Sequence, residues 1–435
     1  MRRCRVALAL VAALALVLPA ACAQRVTFPR EAALSRSDDA FLEELSRRTF
    51  MFFWEQADAS TGIVRDRSRT DGSPSPSARE VGSIAAVGFG LSGLCIAAER
   101  GWLPREQVFD RARTTLRFFA GRMEHQRGWF FHFVNLRTGA REWQSELSSI
   151  DTALLLGGVL TARRCFESDP EIVRYADAIY RRVDFQWMLA GDPLVLSHGW
   201  KPESGFLRSR WDHYCELMIL YLLGIGSPTR PIPAGSWQAW SRPVMTFQEF
   251  TYISGPDPLF VHQYAHAWVD LRGRRDTAPP GTDWFENSVI ATRAHRAFCL
   301  SLSSEFPGYT ASIWGITASD SQKGYLAWGG PPRHEAIDGS VVPAAAAGSL
   351  MFTPDITLPA LREMRRKFGD RIYGRYGFAD AFHPTSGWVN PDVIGIDLGI
   401  TLLSAENLRT GRVWTWFMKN PEVTTALDRA GVRRQ

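Results

Sequence analysis

Residues 148–160 read SSIDTALLLGGVL, and residues 170–190 read PEIVRYADAIYRRVDFQWMLA. The first stretch is apolar on every side of a helix, with one carboxylate near its start. The second carries a charge every few residues. A helix that is apolar all round is buried, whereas one with a charged face borders water. The contrast recurs along the chain. Segments 80–100, 148–160, 214–224 and 336–351 are rich in Ala, Gly, Leu and Ser, and segments 105–124, 170–190 and 356–368 are charged. Inner helices alternating with outer ones predict an all-α fold, an (α/α)6 barrel made of a double ring of about twelve helices. The helices are expected over 39–57, 80–100, 105–124, 148–165, 170–190, 212–224, 258–271, 284–304, 336–351, 356–368, 396–406 and 420–431. Small β pieces are expected in loops near 127–142 and 192–210, where turn glycines and aromatics cluster. The Pro/Gly/Trp-rich stretches 225–257 and 305–335 read as long loops, which in a compact domain tend to carry function.

Residues 1–23 (MRRCRVALALVAALALVLPAACA) join early arginines, an apolar core and a small-residue end. That is the pattern of a secretory signal, with cleavage after Ala23, and it predicts a periplasmic or secreted protein. Cys22 offers a lipid-anchored alternative, against which Pro19 stands where an aliphatic residue is expected. A short polar segment (24–37) then leads into a single domain over 38–435. Losing Arg2, Arg3 and Arg5 with the signal lowers the net charge from +5 to about +2, too little for a nucleic-acid partner. No later stretch reads as a membrane span, and a monomer is expected. Cys95, Cys165, Cys215 and Cys299 are widely spaced in apolar surroundings and read mostly as buried thiols. Neither they nor His262 and His266 form a convincing metal site; the histidines read as a packed or hydrogen-bonded pair, and no cofactor motif occurs. The 16 tryptophans supply either core volume, the commoner use, or flat faces for sugar rings.

Three carboxylates open apolar runs: Asp151 in SSIDTALLLGGVL, Glu216 in RWDHYCELMILYLLGIG and Asp397 in VIGIDLGITLL. A carboxylate at the mouth of a buried helix is costly to desolvate, so it is paired, proton-shifted or working. With Asp212 as a helix cap, Glu216 falls about one turn in, where desolvation raises its pKa as a general acid requires. The plainer reading pairs it with Arg208 or Arg210. Asp397 reads equally as a helix N-cap, and Ser148-x-x-Asp151 fits a capping box. Glu146 projects from a loop edge, a natural place to bind a hydroxyl. Paired carboxylates in an aromatic-rich exported chain point to glycosidic bond cleavage, in which one acid protonates the leaving oxygen and one carboxylate activates water or attacks.

The ordered set TFMFFWEQADASTGIVRDRS (49–68), SIAAVGFGLSGLCIAAERGW (83–102), SSIDTALLLGGVL, HYCELMILYLLGIGSPTRPIP (213–233), FVHQYAHAWVD (260–270), WGITASDS (314–321), DGSVVPAAAAGSLMFTP (338–354), YGFADAFHPTSGWV (376–389), IGIDLGI (394–400) and ENLRTGRVW (406–414) resembles the glucoamylase-like domain of glycoside hydrolase family 144, bacterial β-1,2-glucan-degrading enzymes. The resemblance implies an (α/α)6 barrel and a metal-free inverting hydrolase acting on an oligo- or polysaccharide. It makes Glu216 the general acid and Asp397 the preferred base, with Asp380, Glu146 and Asp151 as alternative carboxylates. Asp66, Arg67, Trp211, His213, Trp314, Trp388 and Asn407 match positions expected to line the sugar cleft. Leu398, Leu408 and His383 stand where the family usually has Gln, Tyr and Asn. These departures leave linkage and endo or exo mode open, and keep a non-hydrolytic glycan-binding protein, and more remotely a polysaccharide lyase, as alternatives.

Overall fold

In a computed structural model describing residues 34–435, the apolar runs become helices packed inside a second layer of amphipathic ones. The helices are α1 (Arg36–Glu55), α2 (Ile84–Arg100), α3 (Arg105–Gly121), α4 (Ser149–Cys165), α5 (Pro170–Arg181), α6 (Phe185–Met188), α7 (Met218–Gly226), α8 (Tyr264–Trp268), α9 (Trp284–Ser301), α10 (Pro343–Ala347), α11 (Pro354–Phe368), α12 (Gly395–Arg409), α13 (Arg412–Met418) and α14 (Pro421–Ala430). They form the (α/α)6 barrel expected from the alternation. Two units separate along the chain, Met1–Ser35 and Arg36–Gln435. Residues 1–23, the expected signal, and with them Cys22 lie outside the described residues. Among the described residues no helix is long and apolar enough to cross a membrane.

Burial follows sequence character. α2 is buried continuously from Ile84 to Ala97, α4 is buried at nearly every residue, and all of α7 is buried. The charged α5 buries only Ile172, Ala176, Ile179 and Tyr180, one stripe at helical spacing. The inner pair α2 and α4 touch backbone to backbone. A Cβ on Gly88 would lie 2.2 Å from the Leu154 carbonyl oxygen, and one on Gly158 would lie 2.0 Å from the Gly88 oxygen. Gly88→Ala is expected to destabilise the protein by at least about 3 kcal/mol, because backbone rather than a flexible side chain must move. A chemical-denaturation curve of that variant checks this.

Short strands collect the starts of the inner helices at one end of the barrel. Val81–Ser83 leads into α2 and pairs with Phe133–Asn135. Leu147–Ser148 leads into α4 and pairs with Gly199–Lys201, which continues to Gly205–Phe206. Asp392–Ile394 leads into α12 and pairs with Arg67–Arg69, Arg67 opposite Ile394. The acids that open the apolar runs are thereby gathered at one face.

Several helices differ from the spans expected. The helix expected over 212–224 begins only at Met218, because the backbone of Asp212 and Tyr214 bonds Ser241 instead of starting a turn. The span 258–271 divides into a 3-10 turn, Leu259–His262, and the short α8. The span 336–351 shrinks to α10, since Gly339 takes a positive φ of 91° and Pro343 can only occupy a first helical turn. α13 has no counterpart among the expected spans. The two long loops contain hairpins, Val244–Phe247 with Phe250–Ile253 and Ala318–Ser321 with Gly324–Ala327. Gly324–Ala327 is exposed or half-exposed at every residue, and Ala318–Ser321 is buried at all but Asp320, so neither shows the alternation of a half-buried strand.

Candidate active site

Asp397 lies in the first turn of α12, after Ile394, which is the N-cap; Asp397 itself is therefore not the cap. Its side chain meets Asp380, and both residues are 5% exposed. Asp380 Oδ2 accepts from Ser319 Oγ at 2.5 Å and Oδ1 from the Ile394 amide at 3.2 Å. Burial pushes the Asp380 carboxyl up to about 6 and the Asp397 carboxyl well above the carboxylate range, the latter raised further by the charge of Asp380. Two buried acids in contact cannot both ionise easily, so the pair holds a proton between them. Leu398 lines an apolar pocket with both acids, together with Leu45 and Phe378, which accounts for the strong desolvation.

Arg67 counters this. Its Nε donates to Asp66 Oδ2 at 2.9 Å and its Nη1 to Asp320 Oδ2 at 2.8 Å. Burial opposes the charge, but Asp66 and Asp320 outweigh it, so Arg67 stays a cation whose field lowers both Asp380 and Asp397. The strand register sets this position: Arg67 sits opposite Ile394, one residue before α12.

A second acidic group forms at the start of α4. Ser148 caps the helix, accepting from the Asp151 amide at 3.2 Å, and its hydroxyl donates back to Asp151 Oδ2. Asp151 Oδ1 lies 3.4 Å from His132 Nε2, and Glu146 Oε1 lies 3.1 Å from His132 Nδ1. Burial disfavours a charged imidazole, yet Asp151, Glu146 and Asp66 together raise the His132 pKa. The bond from His132 is the largest influence on Glu146, whose carboxyl drops to about 2. Glu146 is therefore an ionised partner of His132 rather than a free loop-edge acid.

Glu216 occupies the turn just before α7, not one turn inside it. Asp212 does not cap; it bonds His213 Nδ1 at 2.9 Å. Arg210 is spent on the Leu189, Val195 and Ala190 carbonyls, and among the described residues no cation pairs with Glu216. Burial, then the charges of Asp257 and Asp151, raise the Glu216 carboxyl to about 7. The side chain nonetheless keeps part of its surface open to solvent. The carboxyl is thus desolvated and still within reach of a molecule from solvent. Asp257, raised by burial, has a buried oxygen without a hydrogen-bond partner and lies close enough for its charge to raise Glu216. The buried Tyr264 hydroxyl feels Asp397, Tyr325, Glu216 and Asp380, so the acid before α7 and the pair at α12 share one neighbourhood.

The remaining candidates are divided. Asp66 and Arg67 belong to the cluster. Trp211 is 5% exposed, stacks on His198 at 3.8 Å and donates from Nε1 to Ser149 Oγ at 2.7 Å, bracing the start of α4. His213 is exposed beside Asp212, and Trp388 is half-buried in the turn after His383. Trp314 is fully enclosed, 6.5 Å from the His295 ring, and packs in the core rather than facing a cleft. Asn407 is likewise structural. Its Nδ2 donates to the Ala267 carbonyl and its Oδ1 accepts from the Trp414 amide, ten residues and about 15 Å along α12 from Asp397. His383 braces its turn by accepting from the Thr385 and Ser386 amides and contacting the Asp338 carbonyl. His262 bonds Tyr214 and Ser254, and His266 bonds Ser288, each held neutral by burial. The four cysteines among the described residues are free. Sequence reading missed His132, Asp257, Tyr264 and Asp320. Only the aromatic crowding of 129–133 hinted at the first.

The "Glycoamylase: Putative glucoamylase" family model matches residues 208–421, a span that includes Glu216, Asp380 and Asp397. An exo β-1,2-glucooligosaccharide sophorohydrolase of Parabacteroides distasonis is 27% identical over 90% of this chain. The chain spans 58% of the length of that relative. The endo-β-1,2-glucanase of Chitinophaga pinensis, solved with sophorotriose and glucose, superposes with a TM-score of 0.84 at 28% identity, covering 92% of this chain and 99% of that one. These relatives, the helical barrel and the acids gathered at the starts of its inner helices agree on one likeness: the chain is similar to the glucoamylase-like family of glycoside hydrolases.

Proposed function

We propose that this protein is an exported, anomer-inverting hydrolase of β-1,2-glucan or sophorose-type oligosaccharides. Glu216 protonates the glycosidic oxygen, and the Asp397–Asp380 pair takes the proton of the attacking water: Asp397 accepts it while passing the proton it already holds to Asp380. The observation that carries this reading is the Glu216 carboxyl, raised to about 7 and paired with no cation among the described residues. A leaving sugar oxygen needs such a proton donor at neutral pH. A second acidic centre within reach of Tyr264 supplies the base, and Arg67 opposes its protonation. The substrate class and inversion rest on the relatives and the family resemblance. Export rests on residues 1–23, and N-terminal sequencing of the exported protein is expected to begin at Gln24.

Incubation with linear β-1,2-, β-1,3- and β-1,4-glucans, with sizing of products and proton NMR of the first anomer released, tests the reading. Only the β-1,2 chain is expected to shorten, with the α-anomer appearing first; turnover of another linkage or an initial β-anomer contradicts it.

The pH profile follows from the signs of the shifts. The acid must be protonated, so kcat/KM falls as pH rises through about 7. The pair can accept a proton only while Asp380 is ionised, so kcat/KM falls as pH drops through about 6. A narrow bell between those limbs is the expected profile.

A further inference from the structure

Among the described residues the large hydrophobic side chains that stand exposed are Trp143 at 52%, Val244 at 67% and Tyr325 at 55%. Two of these three connect directly to the acidic groups above, by independent routes.

Trp143 is held outward by a costly backbone. Trp143 and Gln144 are consecutive non-glycine residues with φ of 52° and 49°, a conformation bulky side chains rarely adopt. Arg141 holds the loop in this shape, donating to the Gln144 carbonyl at 2.7 Å and to the Ser145 carbonyl, and pairing with Glu203. The exposed indole packs on Phe133 with ring centroids 4.9 Å apart. Phe133 in turn stacks on His132 at 3.8 Å and 16°, and His132 touches Glu146 and Asp151. An aromatic ladder thus runs from solvent to the acids at the start of α4.

Tyr325 reaches the other acids. It lies in the hairpin Ala318–Ala327, directly opposite Asp320. Cross-strand partners share a face of the ribbon. Asp320 Oδ2 accepts from Arg67 Nη1 at 2.8 Å and from Asn390 Nδ2 at 3.3 Å, which pins that face onto the cluster. The Tyr325 hydroxyl is raised by burial and by the charges of Asp397, Asp380 and Asp66, although the ring stands in water.

Packing does not explain either exposed ring. A flat apolar face open to water beside a cluster of acids suits the C–H face of a pyranose. We infer that Trp143 and Tyr325 are sugar-stacking platforms, Trp143 on the Glu146–Asp151 side and Tyr325 on the Asp380–Asp397 side of one cleft, so that bound glucan is gripped on both sides of the bond to be cut. The inference rests on the glucanase reading above and adds to it that the enzyme acts on chains in preference to the shortest oligosaccharides.

The test compares wild type, Trp143→Ala and Tyr325→Ala on long β-1,2-glucan and on the shortest β-1,2-oligosaccharide cleaved. In each variant the ratio of long-chain to short-chain kcat/KM is expected to fall about 5–20-fold, carried by KM rather than kcat. Trp143→Phe and Tyr325→Phe, which keep a stacking face, should recover most of the loss. Trp143→Leu and Tyr325→Leu, which keep apolar bulk without a flat face, take the place of the alanine variants if those fail to fold, with the same fall in ratio expected. Equal ratios in wild type and both alanine variants, or aromatic replacements as impaired as alanine, overturn the platforms while leaving the hydrolase reading intact. Absence of wild-type turnover on β-1,2-glucan overturns the hydrolase reading, and the platform assignment with it.

Discussion

Glu216→Gln is expected to lower kcat about 10³–10⁴-fold while the protein stays folded. The amide keeps the shape of the acid but has no proton to give to the leaving sugar oxygen. The same substitution has a second consequence that a merely structural residue would not share. The folded-state pKa of Glu216 is raised to about 7 from an ordinary 4.5. A raised carboxyl binds its proton more tightly in the folded protein. Its contribution to stability is therefore full below pH 4.5 and lost as pH rises through about 7. Between pH 5 and pH 8 wild type should lose roughly 2–3 kcal/mol through this one group. The substituted amide does not titrate, so the variant should be the flatter of the two in denaturation midpoint across that range. Wild-type release of reducing sugar by the variant would remove Glu216 from the mechanism.

Asp397→Asn should be nearly as damaging, with a loss of about 10²–10⁴ in kcat. An asparagine can still donate to Asp380, so the hydrogen bond between the two positions survives. What is lost is the second carboxylate and the capacity to take up a water proton. Azide needs no base to attack an anomeric carbon. Added to Asp397→Asn, it should restore cleavage and yield an α-glycosyl azide, the stereochemistry of inversion. A larger loss in Asp380→Asn than in Asp397→Asn, with azide rescue only in the former, would transfer the base to Asp380.

The inner helices were legible because their signal is local. Continuous apolar runs at 84–97 and 149–163 have no amphipathic alternative, and Ser148 announces the start of α4 through its own cap. The start of α7 was not legible. Tyr214 and Asp212 look helical from sequence, and only the bonds to Ser241, about thirty residues later, unwind them. Asn407 failed for a related reason: a residue in the right motif sits at the wrong end of its helix. The composition of the acidic cluster depends on register. Arg67 meets Asp320 because 67–69 pairs with 392–394 and a hairpin folds over it, and no spacing in the chain encodes that meeting. His132 carries no motif, and its role arises when two neighbouring strands bring Glu146 and Asp151 to either side of its ring.

The proposed chemistry turns on the protonation of one side chain, and that can be observed directly. Carbon-13 NMR of the Glu216 carboxyl, assigned by difference from Glu216→Gln and followed from pH 4 to pH 9, should show a midpoint near 7 that coincides with the alkaline limb of kcat/KM. A midpoint near the ordinary 4.5, or one unrelated to the loss of activity, would contradict it.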